Sequence, residues 1–185
     1  VDLENYRLSK LLDVDSIMSE FIKTKLLFNE NISVSSSITT KSEVKEEIFD
    51  SSKINLNIIN GEINFDKTKF INEKIGSLEL ENSKLFFEGN QLILRSDILI
   101  NIQDHDKLFS FLQTSKKSRR PIKNIFINLD YNFLNNQIEF NNIRIDNVKA
   151  GDEVLIIVDE FNDIINNNLN KSRRIMNKLL TAHAG

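Results

Sequence analysis

The sequence predicts a mainly β, α+β fold: a curved antiparallel meander with a short helix near residues 104–116 and a C-terminal amphipathic helix or helix pair. Three observations predict it. Apolar and polar residues alternate with period two through most of residues 51–146, as expected of strands with one buried face. Turn pairs such as Asn60-Gly61 punctuate the alternation. From Gly151 onward the apolar spacing changes to about 3.6, the helical period.

At 185 residues the chain is long enough for one domain with its own core. We divide it into an N-terminal helix and strands (1–50), a β-meander with an inserted helix (51–146) and a helical region (152–182). It starts at Val1, which reads as a piece of a longer protein or a processed product.

Taken in order, Asp15 is placed to cap a short helix over residues 16–23, with Ile17, Phe21 and Ile22 on one side. Ile32, Val34, Ser36 and Ile38 then alternate as a strand, and residues 41–50 read as a charged loop or sheet edge. Ile54, Leu56 and Ile58 form one strand face, and Ile63 and Phe65 the next. Asn60-Gly61 between them supplies the two positive-φ residues of a type I′ hairpin turn. Leu78 and Leu80 alternate in a further strand. Glu88-Gly89-Asn90 turns the chain from Leu85-Phe86-Phe87 into a long strand. One side of that strand carries Leu92, Leu94, Ser96, Ile98, Ile100 and Ile102. The other side carries Ile93 and Leu99 as well as Arg95 and Asp97, which predicts a sheet partly covered on both sides.

Leu108, Phe111 and Leu112 sit at helical spacing behind Asp104 or Asp106 as cap. Beyond Pro121, the residues Ile125, Ile127, Leu129, Tyr131 and Phe133 form a strand face. Asn135-Asn136 turns the chain, and Ile138, Phe140, Ile143 and Ile145 return. Val154, Val158, Phe161, Ile165 and Leu169 make a helical stripe; the Asn166-Asn167-Asn168 run is a candidate break, after which Ile175, Met176, Leu179 and Leu180 resume.

Composition narrows the function classes. Twenty-four basic and 27 acidic residues give a net charge of -3, which is no general footprint for nucleic acid. No apolar run reaches the roughly 18 residues needed to span a bilayer. Cysteine is absent, so there is neither a disulfide framework nor a thiolate metal site. Asn makes up about one residue in seven, which reads first as codon bias. His105 lies between Asp104 and Asp106, but adjacent side chains cannot converge on one ion, so the string reads as a helix start. Phosphate loop, nucleophile elbow and paired-His helix are all missing, and no pair of carboxylates stands out. The reading is therefore non-catalytic, with no cofactor and no metal. Thirteen Phe and no Trp suit an apolar lining or core better than hydrogen-bonded ligand recognition.

The strand style carries a resemblance. Segments 61–70 (GEINFDKTKF), 75–85 (IGSLELENSKL), 124–130 (NIFINLD) and 138–146 (IEFNNIRID), with the closing amphipathic stretch 154–185, resemble the C-terminal part of AsmA-like proteins. These are bacterial envelope proteins related to bridge-like lipid-transfer proteins. The resemblance implies an inner-membrane anchor upstream of this segment, a periplasmic location, and a long curved sheet whose apolar concave face takes lipid chains. It carries over no individual functional residue.

The residues and the resemblance together give the expected site. An apolar groove is lined by Leu56, Ile58, Ile63, Phe65, Leu78, Leu80, Leu94, Ile98, Ile127 and Leu129. It holds phospholipid or another acyl-chain lipid, and envelope proteins are further candidate partners. The basic run Lys116, Lys117, Arg119 and Arg120 has two readings, a solvated loop or a contact for phosphate headgroups. The rival reading of the whole is a structural or protein-interaction domain whose sheet is fully packed. Which of the two holds depends on how much of the apolar face the helices cover.

Overall fold

The computed structural model describes residues 2–4, 24–41, 48–133, 135, 137–160 and 169–184. The helix expected over 16–23 and the Asn166–Asn168 run lie outside these residues. One ten-stranded sheet organises the chain. Its strands are β1 (Asp2–Glu4), β2 (Val34–Lys41), β3 (Ser51–Ile59), β4 (Glu62–Asn64), β5 (Lys69–Asn72), β6 (Gly76–Glu88), β7 (Gln91–Ile102), β8 (Asn124–Asn132), β9 (Gln137–Ile145) and β10 (Val148–Lys149). Neighbours pair antiparallel except β1, which runs parallel to β2 at one edge. The fold is thus α+β and mainly antiparallel. β2, from the N-terminal region, pairs antiparallel along its length with β3 of the meander.

The Asn60-Gly61 turn forms as expected, with φ of 51° and 77°. Two further features complete this part of the sheet. Residues 78–80 and 85–87 belong to one strand, β6, and the short β5 lies between β3 and β6. The interruption in β6 is a bulge: Asn82, with φ of 48°, and Ser83 together stand opposite Ser96 alone. A second bulge puts an extra residue, Asn141, into β9 between the pairs Asn128–Asn142 and Leu129–Phe140.

These bulges have a consequence for the faces. One extra residue shifts the period-two pattern by one. Leu78 and Leu80 therefore share a face with Leu85 and Phe87, although their numbers differ in parity. Ile138 and Phe140 share it with Ile143 and Ile145 for the same reason. Following the register across the sheet, Ile54, Leu56, Ile58, Ile63, Phe70, Leu94, Ile98, Ile100, Ile125, Ile127 and Leu129 all lie on this one face.

The opposite face is polar and is tied together along its length. Asn57 Nδ2 donates to Asn64 Oδ1 at 3.2 Å, and Asn128 Nδ2 donates to Asp97 Oδ1 at 2.6 Å. Arg95 grips Asp130 through Nε (2.8 Å) and Nη2 (2.6 Å). The apolar residues here are served locally: the Arg144 guanidinium lies 4.1 Å over the Phe126 ring, and Arg95 lies 5.4 Å over Phe86. None of the three core clusters includes this face. On this face Ile93 is buried, at 7% exposure, and Leu99 is half-buried, so the face is covered in part, without a core cluster of its own among the described residues, and arginine stacking and side-chain amide ladders supply the rest.

Among the described residues, three helices pack against the apolar face: α1 (His105–Leu112), α2 (Asp152–Asp159) and α3 (Leu169–Ala184). Asp104 caps α1 through a hydrogen bond from the Lys107 N–H at 2.9 Å. The helix stops at Leu112 rather than reaching 116, because Gln113 adopts the left-handed conformation (φ 59°) and turns the chain out.

Candidate functional site

The apolar face is covered at its two ends by different parts of the chain. At one end Phe109 and Leu112 of α1 and Leu180 of α3 bury Ile125 and Ile145, with Ile100, Ile102 and Ile127 against them. Beside this, Val154 and Val158 of α2 and Ile175 and Leu179 of α3 bury Ile143. At the other end Ile58, Ile63, Leu85 and Leu92 form a core closed by Leu27 and Phe28 of a 3-10 turn (Leu26–Phe28) and by Phe65, Phe87 and Phe133. Sequence reasoning missed this last cover, because residues 24–31 show no helical or strand period.

Between the two covered ends lies a band that belongs to none of the three clusters. Among the described residues it contains Ile54, Leu78, Leu80 and Ile98, all half-buried, and beside Leu78 the buried Phe70, whose ring lies 5.3 Å from that of Phe49. Backbone pairs Lys67 N–H to Leu80 O and Leu80 N–H to Thr68 O, both 2.9 Å, hold the linker between β4 and β5 against β6 at this level.

The ten expected lining residues thus divide. All ten come from strands or linkers of the apolar face, but Ile58 (2% exposed) and Ile63 (1%) are sealed in the core under the 3-10 turn. Their assignment as lining is corrected: chain 26–28 folds over the hairpin they belong to. Leu129 is buried as well, and Ile127 sits beneath the helices. Leu56, Phe65 and Leu94 are half-buried at the margin of the core under the 3-10 turn. Leu78, Leu80 and Ile98 remain in the band.

The basic run also divides. Lys116–Ser118 forms a 3-10 turn after α1, with Lys116, Lys117 and Arg120 exposed. Arg119 is half-buried, and its Nε donates to the Thr114 carbonyl at 3.0 Å. Arg119 thus ties the turn to the chain after α1 through its Nε. A parallel role falls to Arg173 of α3, whose Nε donates to the Phe111 carbonyl at 2.9 Å and whose guanidinium lies 4.4 Å over the Phe111 ring. These arginines satisfy carbonyls left open at the C-terminal end of α1.

His105, at the first position of α1, is 4.0 Å from Asp106 and stacks edge-on to Phe109. Among the described residues, no group of three or more His, Cys, Asp or Glu could hold a metal ion. No described helix is long and apolar enough to cross a membrane. An open depression of about 390 Å³ lies at the Gly76 end of the sheet, lined by Lys69, Ile71, Ser77, Asn101 and Gln103 among others, and it is separate from the band. Comparison with known proteins finds no match to a protein-family model, a curated protein or a solved structure.

Proposed function

We propose that this chain is a non-catalytic lipid-handling segment of an AsmA-like bacterial envelope protein. In this reading it lies in the periplasm, is held to the inner membrane by an upstream segment, and serves outer-membrane biogenesis or phospholipid handling. One observation carries the reading: an apolar band of Ile54, Leu78, Leu80 and Ile98 crosses a sheet that is covered at both ends of the same face. Acyl chains lie along the band while headgroups stay in water. Each methylene removed from water contributes about 0.8 kcal/mol, so the step needs neither cofactor nor chemistry.

A second reading, a structural or protein-interaction domain with a packed sheet, is favoured by the sealing of Ile58, Ile63 and Leu129. One experiment separates the two. The purified chain is extracted with organic solvent, and the extract is analysed by mass spectrometry. Binding of a fluorescent palmitate analogue is measured in parallel. The lipid reading expects co-purifying phospholipid and saturable probe binding, both lost in Leu80→Asp/Ile98→Asp with the far-UV spectrum retained. If that pair unfolds, Leu80→Ser/Ile98→Thr serves instead. An extract without lipid and a probe that does not bind would favour the packed domain.

A further inference from the structure

The charges of this protein are segregated along the sequence, although acidic α2, with Asp152 and Glu153 exposed, packs beside α3, and Glu160 pairs with Lys178 at 2.7 Å. Segments 105–123 and 169–184 carry ten Lys or Arg and one acidic residue, Asp106; of the chain's 24 basic and 27 acidic residues, this leaves 14 and 26 for the rest. A chain of net charge -3 thus has a strongly cationic part and a strongly anionic remainder. The two cationic segments are also together in the fold. Phe109 and Leu112 of α1 share a core with Leu180 of α3, and Arg173 of α3 bonds the Phe111 carbonyl. Lys107, Lys116, Lys117, Arg120, Lys123 and Arg174 are exposed.

We propose that this helical end docks on the surface of an anionic lipid bilayer. Arg119 and Arg173 are spent on backbone carbonyls and fix the basic turn to α1 and α3. Lys116, Lys117 and Arg120 are therefore presented by a folded turn, so less conformational entropy is lost on contact. A planar anionic surface fits better than a nucleic acid on two counts. A polyanion long enough to pass the patch meets the anionic remainder of the protein. Base stacking needs exposed aromatic rings, whereas the large hydrophobic residues most exposed among those described are all aliphatic, Ile156 foremost at 70%. This docking stands on charge alone and is separate from acyl-chain binding by the band.

The test is flotation of the full 185-residue chain with vesicles of phosphatidylcholine alone and of phosphatidylcholine mixed with phosphatidylglycerol. Binding is expected to the mixed vesicles only and to weaken as salt is raised. At about 1 kcal/mol per basic residue near such a surface, Lys116→Gln/Lys117→Gln/Arg120→Gln lowers the partition coefficient on the order of 100-fold. Lys53→Gln/Lys74→Gln/Lys84→Gln removes the same charge from exposed positions on and beside the sheet and is expected to change it by less than about 3-fold. Equal binding to both vesicles, an equal loss in the two triple variants, or binding to duplex DNA as tight as to the mixed vesicles overturns the proposal. The band is read separately, by lipid extraction with the Leu80→Asp/Ile98→Asp variant as control, so a chain that yields no lipid yet floats with the mixed vesicles refutes the proposed function and leaves this docking intact.

Discussion

Replacing Ile58 and Ile98 by alanine, one at a time, tests whether the band differs from core. Both side chains lie on the same face of the sheet, so intrinsic strand preference is matched. Either substitution deletes three carbons, with a transfer term of about 2.4 kcal/mol if fully buried. Ile58 is 2% exposed and enclosed by Ile63, Leu85 and Leu92, so a cavity term adds to the transfer term and the total reaches about 3–4 kcal/mol. Ile98 is half-buried and enclosed by no core cluster. Part of its transfer term is already absent and no closed cavity forms, which leaves about 1–1.5 kcal/mol. Urea unfolding followed by far-UV circular dichroism reads the difference. With a slope of about 2–3 kcal/mol per molar, the midpoint falls by more than about 1 M for Ile58→Ala and by about 0.5 M for Ile98→Ala. Equal shifts would mean that Ile98 is packed as tightly as Ile58, and the argument for an accessible band would fail.

Gly61 and Gly89 make a second matched pair. Both have positive φ, but a Cβ on Gly61 would meet the Phe28 carbonyl oxygen at 2.5 Å, whereas one on Gly89 meets nothing within 4 Å. Gly89→Ala is expected to cost about 1–2 kcal/mol, the left-handed penalty alone, and Gly61→Ala clearly more; equal urea midpoints would show that the 3-10 turn does not close the hairpin end. Burial holds the Tyr131 phenol above its ordinary pKa. The neutral form is the one favoured by folding, so its contribution is full below about pH 10 and is lost as pH rises toward the folded value. Ultraviolet titration should show one tyrosine ionising late, and Tyr131→Phe should remove that component and flatten the alkaline loss of stability.

The strands were legible where each residue's own environment sets its type. Ile54, Leu56 and Ile58 had to alternate with Lys53, Asn55 and Asn57 because one face is apolar and the other wet. The Asn60-Gly61 turn was legible because few other pairs tolerate two positive φ values. The bulges were written in the sequence as well. The apolar positions change parity between Leu80 and Leu85 and between Phe140 and Ile143, and a strand that keeps one face can do this only by inserting a residue. Parallel β1, three residues long, and the cover by Leu26–Phe28 left no signal, since both depend on chain brought in from a distance. The same limit applied to the site. Periodicity put Ile58 and Ile98 on one face correctly, but it could not show which of them another segment would close over.

Net charge of -3 concealed more than it revealed. The basic run 116–120 and the group Lys171, Arg173 and Arg174 stand more than 50 residues apart in the sequence; only the packing of α1 on α3 brings them together. That arrangement also separates the two proposed activities physically. Helices α1 and α3, which bury Ile125 and Ile145 on their inner side, display Lys107 and Arg174 outward, so lining and charge occupy opposite sides of the same elements. Acyl-chain binding on the band draws on transfer free energy, which moderate salt leaves nearly unchanged, whereas docking by the helical end is screened over about 10 Å at 0.1 M salt. Raising the salt should therefore strip the chain from anionic vesicles while a bound palmitate analogue stays in place. Loss of both together would tie the lipid to the cationic end and remove the band's claim to it.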